Sequence, residues 1–148
     1  MVSKRVATPY DDITYKVLGC AMGVHGEQGP GKRENTYQRS MEARMTAAGV
    51  AYVAQKVLEV YDQEVMVGYY IPDFVVADVV IVEIKALSWL DNSHLRQIIG
   101  YMAVTGCPIG LLINFGRRSL EYRRIFPPKD ITEHRISKQW LVVPDWLK

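Results

Sequence analysis

The sequence predicts an α/β sandwich in which a mixed β-sheet is flanked by helices. Three observations carry this prediction. Apolar residues recur at helical spacing through the first third of the chain. The middle is rich in Val, Ile and Tyr. A further helical segment then separates that region from a continuous apolar run at Ile109–Phe115.

The elements follow in order. Ile13, Val17, Cys20, Ala21 and Val24 mark a first helix over Asp11–His25, with Thr8 or Asp11 available as its cap. The glycine-rich stretch 26–31 breaks it. A second helix begins near Arg33–Glu34 and runs to about Ala48, with Tyr37, Met41, Met45 and Ala48 as its apolar stripe and Gly49 as its stop. The period then changes. Segments 50–60, 65–76 and 79–86 favour strands, and the short Ala77–Asp78 link makes the last two a hairpin. Leu90–Val104 returns to helical spacing and stops at Cys107-Pro108. Ile109–Phe115 reads as a central strand buried on both faces, and Leu120–Phe126 as one more strand. The expected order is helix, helix, three strands, helix, strand, strand.

A chain of 148 residues suits one domain over 1–148, with a core at about 11–126 and an apolar extension at 127–148. Trp140, Leu141, Val142, Val143 and Trp146 make that extension too apolar to lie free in water, so it is expected to pack on the domain or to join two copies as a homodimer. Hydrophobic residues make up 49% and charged residues 23%, which permits a real core.

The formal net charge is only +2, from 18 basic and 16 acidic side chains, so bulk charge does not point to nucleic acid. Arg117, Arg118, Arg123 and Arg124 form a local basic cluster, either a solvated strand end or a set of phosphate contacts. Cys20 and Cys107 lie far apart, which excludes a four-thiolate zinc or iron–sulfur site; both read as buried, reduced thiols of a cytoplasmic protein. The first ten residues lack the apolar run of a signal peptide, and no apolar stretch is long enough to span a bilayer, so no membrane partner is expected.

The segment that carries chemistry runs from Ile71-Pro72-Asp73-Phe74 to Glu83-Ile84-Lys85. Side chains alternate along a strand, so Glu83 and Lys85 share one face while Val82 and Ile84 anchor the other. A hairpin centred on Asp78 places Asp73 and Glu83 five residues to either side, directly opposite each other. Opposed like charges are destabilising. A sequence that sets them there beside a lysine is suited to a cation. Magnesium, or manganese in its place, prefers oxygen ligands and takes one or two carboxylates plus waters and phosphate oxygens. The alternative is an ordinary charged hairpin edge, but charges in so apolar a strand need a partner.

Pro72-Asp73 followed by Glu83-Ile84-Lys85 resembles the motif of the PD-(D/E)XK nucleases. Gly31-Lys32-Arg33-Glu34-Asn35-Thr36-Tyr37 is similar to the pattern that names the GxxExxY family of that superfamily. The likeness extends to Val24-His25, to Gln97 and Tyr101 in the QxxxY spacing of RecB-type nucleases, and to Gly110–Phe115. It covers about Asp11 to Phe126 and departs at Pro72, where the family often carries a basic residue.

The resemblance implies a restriction-endonuclease-like core and a metal-dependent nuclease acting on nucleic acid, with DNA as the expected substrate and no iron–sulfur cluster. Asp73 and Glu83 would hold Mg2+ or Mn2+, with the backbone carbonyl of Ile84 as a further ligand and Glu34 added directly or through water. Lys85 would be the catalytic lysine. Gln97 and Tyr101, one helical turn apart, would face the site. His25 would lie near it.

Plainer readings stand beside these. Glu34 suits the first turn of a helix, and His25 suits a helix end, on dipole grounds alone. Tyr37 reads as core, and Gln97 and Tyr101 as a buried polar pair. For the whole chain the alternative function is a non-catalytic nucleic-acid-binding or assembly module that retains the fold.

Overall fold

A computed structural model describes residues 7–126. The expected C-terminal extension at 127–148, with its packing and any homodimer through it, lies outside the described residues. The chain forms α1 (Asp11–Gln28), α2 (Glu34–Ala47), β1 (Tyr52–Ala54), β2 (Leu58–Asp62), β3 (Val65–Tyr70), β4 (Phe74–Val76), β5 (Val80–Lys85), α3 (Asn92–Thr105), β6 (Ile109–Asn114) and β7 (Glu121–Ile125). Five strands make one mixed sheet in the order β1-β4-β5-β6-β7, and β2 and β3 pair separately.

The sheet is buried on both faces. On one face, Val17, Ala21 and Val24 of α1 and Tyr37, Met41 and Met45 of α2 pack on Phe74, Val82, Ile84, Leu111 and Ile113. On the other, Ile98 and Met102 of α3 pack on Val75, Ile81, Leu112 and Ile125. Every residue of β6 is buried, as a continuous apolar run flanked by strands and covered by helices requires. β5, α3 and β6 form a βαβ unit, with β5 and β6 parallel and in register from Val80↔Ile109 to Lys85↔Asn114.

Three boundaries differ from the sequence reading. α1 runs through Gly26 and ends only at Gly29, whose backbone is left-handed (φ 65°) and whose N–H donates to the His25 carbonyl (2.9 Å). An interior glycine weakens a helix without ending it when the helix is held by packing. α3 starts at Asn92 because Asp91 caps it, accepting from the Ser93 N–H while His94 accepts from the Asp91 N–H.

The third difference has the largest effect. The segments read as strands 50–60 and 65–76 each divide in two. Gln55 turns the chain out of β1 with a left-handed backbone (φ 51°). Ile71-Pro72-Asp73 separates β3 from β4, so one apolar run feeds two different sheets.

The hairpin between β4 and β5 has the expected centre. Phe74 pairs with Val82, Val75 with Ile81 and Val76 with Val80, and Ala77 and Asp78 turn the chain in left-handed conformation. Cys20 and Cys107 are buried free thiols.

Candidate active site

Asp73 and Val75 share one parity on the β4 side, and Ile81, Glu83 and Lys85 share one on β5. Val75 and Ile81 pack under α3, so Asp73, Glu83 and Lys85 project to that face. The register continued one step beyond β4 places Asp73 opposite Glu83.

Here bonds from backbone N–H groups to the two carboxylates replace a strand ladder. The Asp73 N–H donates to Glu83 Oε1 (2.8 Å), and the Ile84 N–H donates to Asp73 Oδ2 (2.7 Å). One step further, Pro72 stands opposite Ile84. Proline has no N–H, so the Ile84 carbonyl loses the donor a ladder would supply. On the other edge of β5, the Lys85 carbonyl accepts from the Phe115 N–H (2.8 Å).

Asp73 is further clamped through its own carbonyl, which accepts from Gln38 Nε2 (3.2 Å) and the Gln55 N–H (3.0 Å). Gln38 lies one helical turn after Glu34 and is buried. The sequence reading missed both glutamines. The spacing Glu34-x-x-x-Gln38 is the signal that would have found Gln38. Gln55 acts through its backbone, which no side-chain pattern reveals.

Glu34 opens α2 from the opposite layer. It lines a cleft of about 210 Å³ with Asn35, Gln38, Gln55, Asp73 and Ile84. Glu34 is exposed, and its charge reaches both Asp73 and Glu83.

Electrostatically the pair is tense. Burial, and then the Asp73 carboxylate, push Glu83 up to about 8, against the opposing pull of the Asp73 N–H and Lys85. Burial also raises Asp73; the Ile84 N–H and Lys85 pull it back, while Glu34 adds to the rise. Glu83 is only 4% exposed. Its Oε2, like Asp73 Oδ1, has no hydrogen-bond partner among the described residues.

A buried carboxylate oxygen without a donor, beside a second carboxylate and a carbonyl without a ladder partner, fits a divalent cation. Glu34 does not complete a tight cluster: among the described residues, no three His, Cys, Asp or Glu side chains gather closely enough to hold an ion by themselves. The donor set is two carboxylates and a backbone oxygen.

Lys85 points along α3. Its Nζ donates to Gln97 Oε1 (3.3 Å), and Gln97 Nε2 donates to the Tyr101 hydroxyl (3.0 Å). Tyr101 is buried against the edge of Tyr70, with ring centroids 5.2 Å apart. Burial, and then the Glu83 charge, push its hydroxyl up to about 12, so it stays protonated.

Other residues from the sequence reading stand elsewhere. Tyr37 is fully buried, stacked on Phe115 at 4.7 Å. Its hydroxyl donates to the Gly29 carbonyl (2.6 Å) and accepts from the Lys32 N–H (3.1 Å), latching the glycine turn. His25 Nε2 donates to the Arg117 carbonyl (2.8 Å), in the loop after β6.

The four arginines do not form one patch. Arg124 is held by Asp11 (3.2 Å) and lies over Phe126. Arg123 has the opposite parity on β7. Arg117 pairs with Glu121 (3.1 Å), and Arg118 is exposed in the loop.

Together, fold and site define a restriction-endonuclease-like domain, with paired carboxylates and a lysine where the sheet opens. The chain belongs to the PD-(D/E)XK nuclease superfamily, which residues 11–125 match. No curated protein matches it. Among solved structures it is similar to an alkaline exonuclease (LHK-Exo) from Laribacter hongkongensis, with TM-score 0.51 and 16% identity over 88% of this chain and 75% of that one. It is also similar to the crystal structure of SSO0001, with TM-score 0.50 and 12% identity, covering 84% of this chain and 62% of that one. The chain thus spans less than two thirds of SSO0001. At these identities the likeness concerns the fold. Among the described residues, no helix is long and apolar enough to cross a membrane.

Proposed function

We propose that this chain is a divalent-metal-dependent nuclease of the GxxExxY family that hydrolyses phosphodiester bonds, with DNA as its substrate. We read it as a single domain with its core at 11–126. The observation that carries the reading is the convergence of Asp73 and Glu83, one oxygen of each without a donor, beside Lys85.

In this reading Asp73, Glu83 and the Ile84 carbonyl would hold Mg2+ or Mn2+, and Glu34, from across the cleft, would add negative charge directly or through water. The ion, when bound, supplies Lewis-acid polarisation of the phosphate and of the attacking water. Lys85 orients that water and stabilises the negative charge growing on the phosphoryl oxygens. The water oxygen bonds to phosphorus and gives up a proton to solvent, the ester oxygen on the opposite side leaves, and the leaving oxygen takes up a proton from solvent water. Gln97 fixes the direction of the Lys85 ammonium, and Tyr101 holds Gln97.

The test is cleavage of plasmid and single-stranded DNA with magnesium or manganese by wild type, Asp73→Ala and Lys85→Ala. Each variant is expected to lose at least about a hundredfold in rate. Equal activity in all three would sink the assignment. A non-catalytic binding module is disfavoured, because two intact carboxylates repel phosphate unless a cation lies between them. Calorimetric titration with Mg2+ or Mn2+ separates the two, since a mere binding module takes up no metal there. We place the protein in the cytoplasm on the strength of its free cysteines.

A further inference from the structure

Beyond the Lys85 end of β5 the chain enters a second, larger space. An open cleft of about 660 Å³ lies between the segment after β5 and the loop joining β6 to β7. Ser88 lines one side, and Arg117, Arg118, Ser119 and Glu121 line the other.

The loop that carries the arginines is built rigidly. Asn114, fully buried at the end of β6, brackets Leu87: its Oδ1 accepts the Leu87 N–H (2.9 Å) and its Nδ2 donates to the Leu87 carbonyl (2.9 Å). The same Oδ1 accepts the Gly116 N–H (3.0 Å), and Nδ2 also reaches Glu121 Oε1 (3.3 Å). Gly116 passes so close that a Cβ there would lie 2.3 Å from the Leu87 nitrogen. From the other layer, His25 Nε2 holds the Arg117 carbonyl (2.8 Å). A surface loop pinned from both layers presents its side chains at little ordering cost.

The charge of the cleft is unbalanced. Glu121 is engaged by Asn114 through Oε1 and by Arg117 through Oε2 (3.1 Å). Arg118 is exposed and has no ion pair among the described residues. The hydroxyls of Ser88 and Ser119 are neutral donors in the same space. Tyr122 in the cleft wall and Trp89 beside Ser88 are 43% and 71% exposed, offering flat rings to a base or sugar. Only two residues separate Lys85 from Ser88, a contour of at most about 11 Å, so one strand can lie across both places.

We propose that this cleft is a second phosphate subsite. It takes a backbone phosphate of the bound nucleic acid away from the one that is attacked. Arg118 is its main contact, and Ser88 and Ser119 supply neutral hydrogen bonds. The proposal rests on the nuclease reading above. It separates the loop arginines from Arg124, which Asp11 holds.

The experiment is steady-state cleavage, with magnesium, of oligonucleotides from two to twelve nucleotides long at several salt concentrations. Arg118→Ala is expected to raise KM about fivefold on the longer substrates with kcat nearly unchanged. It should lower the slope of log(kcat/KM) against log[salt] by about one. On dinucleotides, which cannot reach the cleft, it should match wild type. Arg118→Lys should recover part of the loss, and Arg39→Ala, on the exposed surface of α2, should change nothing. Unchanged KM and salt slope in an active Arg118→Ala protein would overturn the subsite and leave the nuclease reading intact. An equal loss in Arg39→Ala would overturn it too, by showing a bulk charge effect. A wild-type protein that neither cuts nor binds any oligonucleotide would defeat both.

Discussion

At the scale of single residues, burial and mutual charge set Asp73 and Glu83 apart from the other carboxylates of the described residues. Burial first and Asp73 second push Glu83 up to about 8, against 4.5 for an ordinary glutamate. A raised folded value means that the native state holds a proton the unfolded chain has released. The associated stability is complete below about pH 4.5 and fades as pH rises through about 8. Thermal melts in EDTA should therefore show falling Tm across that window. Glu83→Gln should flatten the fall, and a slope that persists in that variant would place its origin elsewhere.

Tyr37 makes a separate prediction. Tyr37→Phe keeps the ring on Phe115 but removes the hydroxyl that bridges Gly29 and Lys32. It should cost about 1–2 kcal/mol in urea unfolding. Gln97→Leu should reduce kcat about tenfold with KM little changed, because the lysine ammonium loses its orienting acceptor.

Elements decide which residues meet. Pro72 ends the β4–β5 ladder and leaves the Ile84 carbonyl without a ladder donor, while the Asp73 side chain takes the Ile84 N–H. The detached β2–β3 hairpin is the weakest element by the same physics that makes β5 and β6 the strongest. Most of its side chains are exposed, including Val65, Met66, Val67 and Tyr69, and a two-stranded sheet alone is marginal in water. Amide exchange in 58–70 should run well ahead of that in 80–85 and 109–114, and equal protection would contradict the account. The β6–β7 connection behaves oppositely. Gly116→Ala would drive a methyl into the Leu87 backbone, so it should destabilise the protein by roughly 1–3 kcal/mol.

The whole molecule works as three layers whose ends converge. The first turn of α2, from one layer, supplies Glu34. The sheet supplies Asp73, Glu83 and Lys85, and α3, from the other layer, supplies Gln97 and Tyr101. A cation bound among these groups in the native state alone stabilises the entire fold. Its ligands must be deprotonated, so added magnesium should raise Tm more at pH 9 than at pH 6. A magnesium effect independent of pH would argue for binding elsewhere.

Much of this was legible in the chain itself. Period-two alternation put Glu83 and Lys85 on one face, and the short Ala77–Asp78 link set the register that opposes Asp73 to Glu83, because both depend only on local backbone geometry. The α/β class followed from the same periodicities. The sequence did not show that one apolar run would serve two sheets, that Gln38 and Gln55 would clamp the Asp73 carbonyl, or that Arg124 would turn to Asp11 while Arg118 faced an open cleft. Those outcomes depend on which layers come together across tens of residues. Long-range packing and the satisfaction of buried polar groups decide them, and neither leaves a local pattern to read.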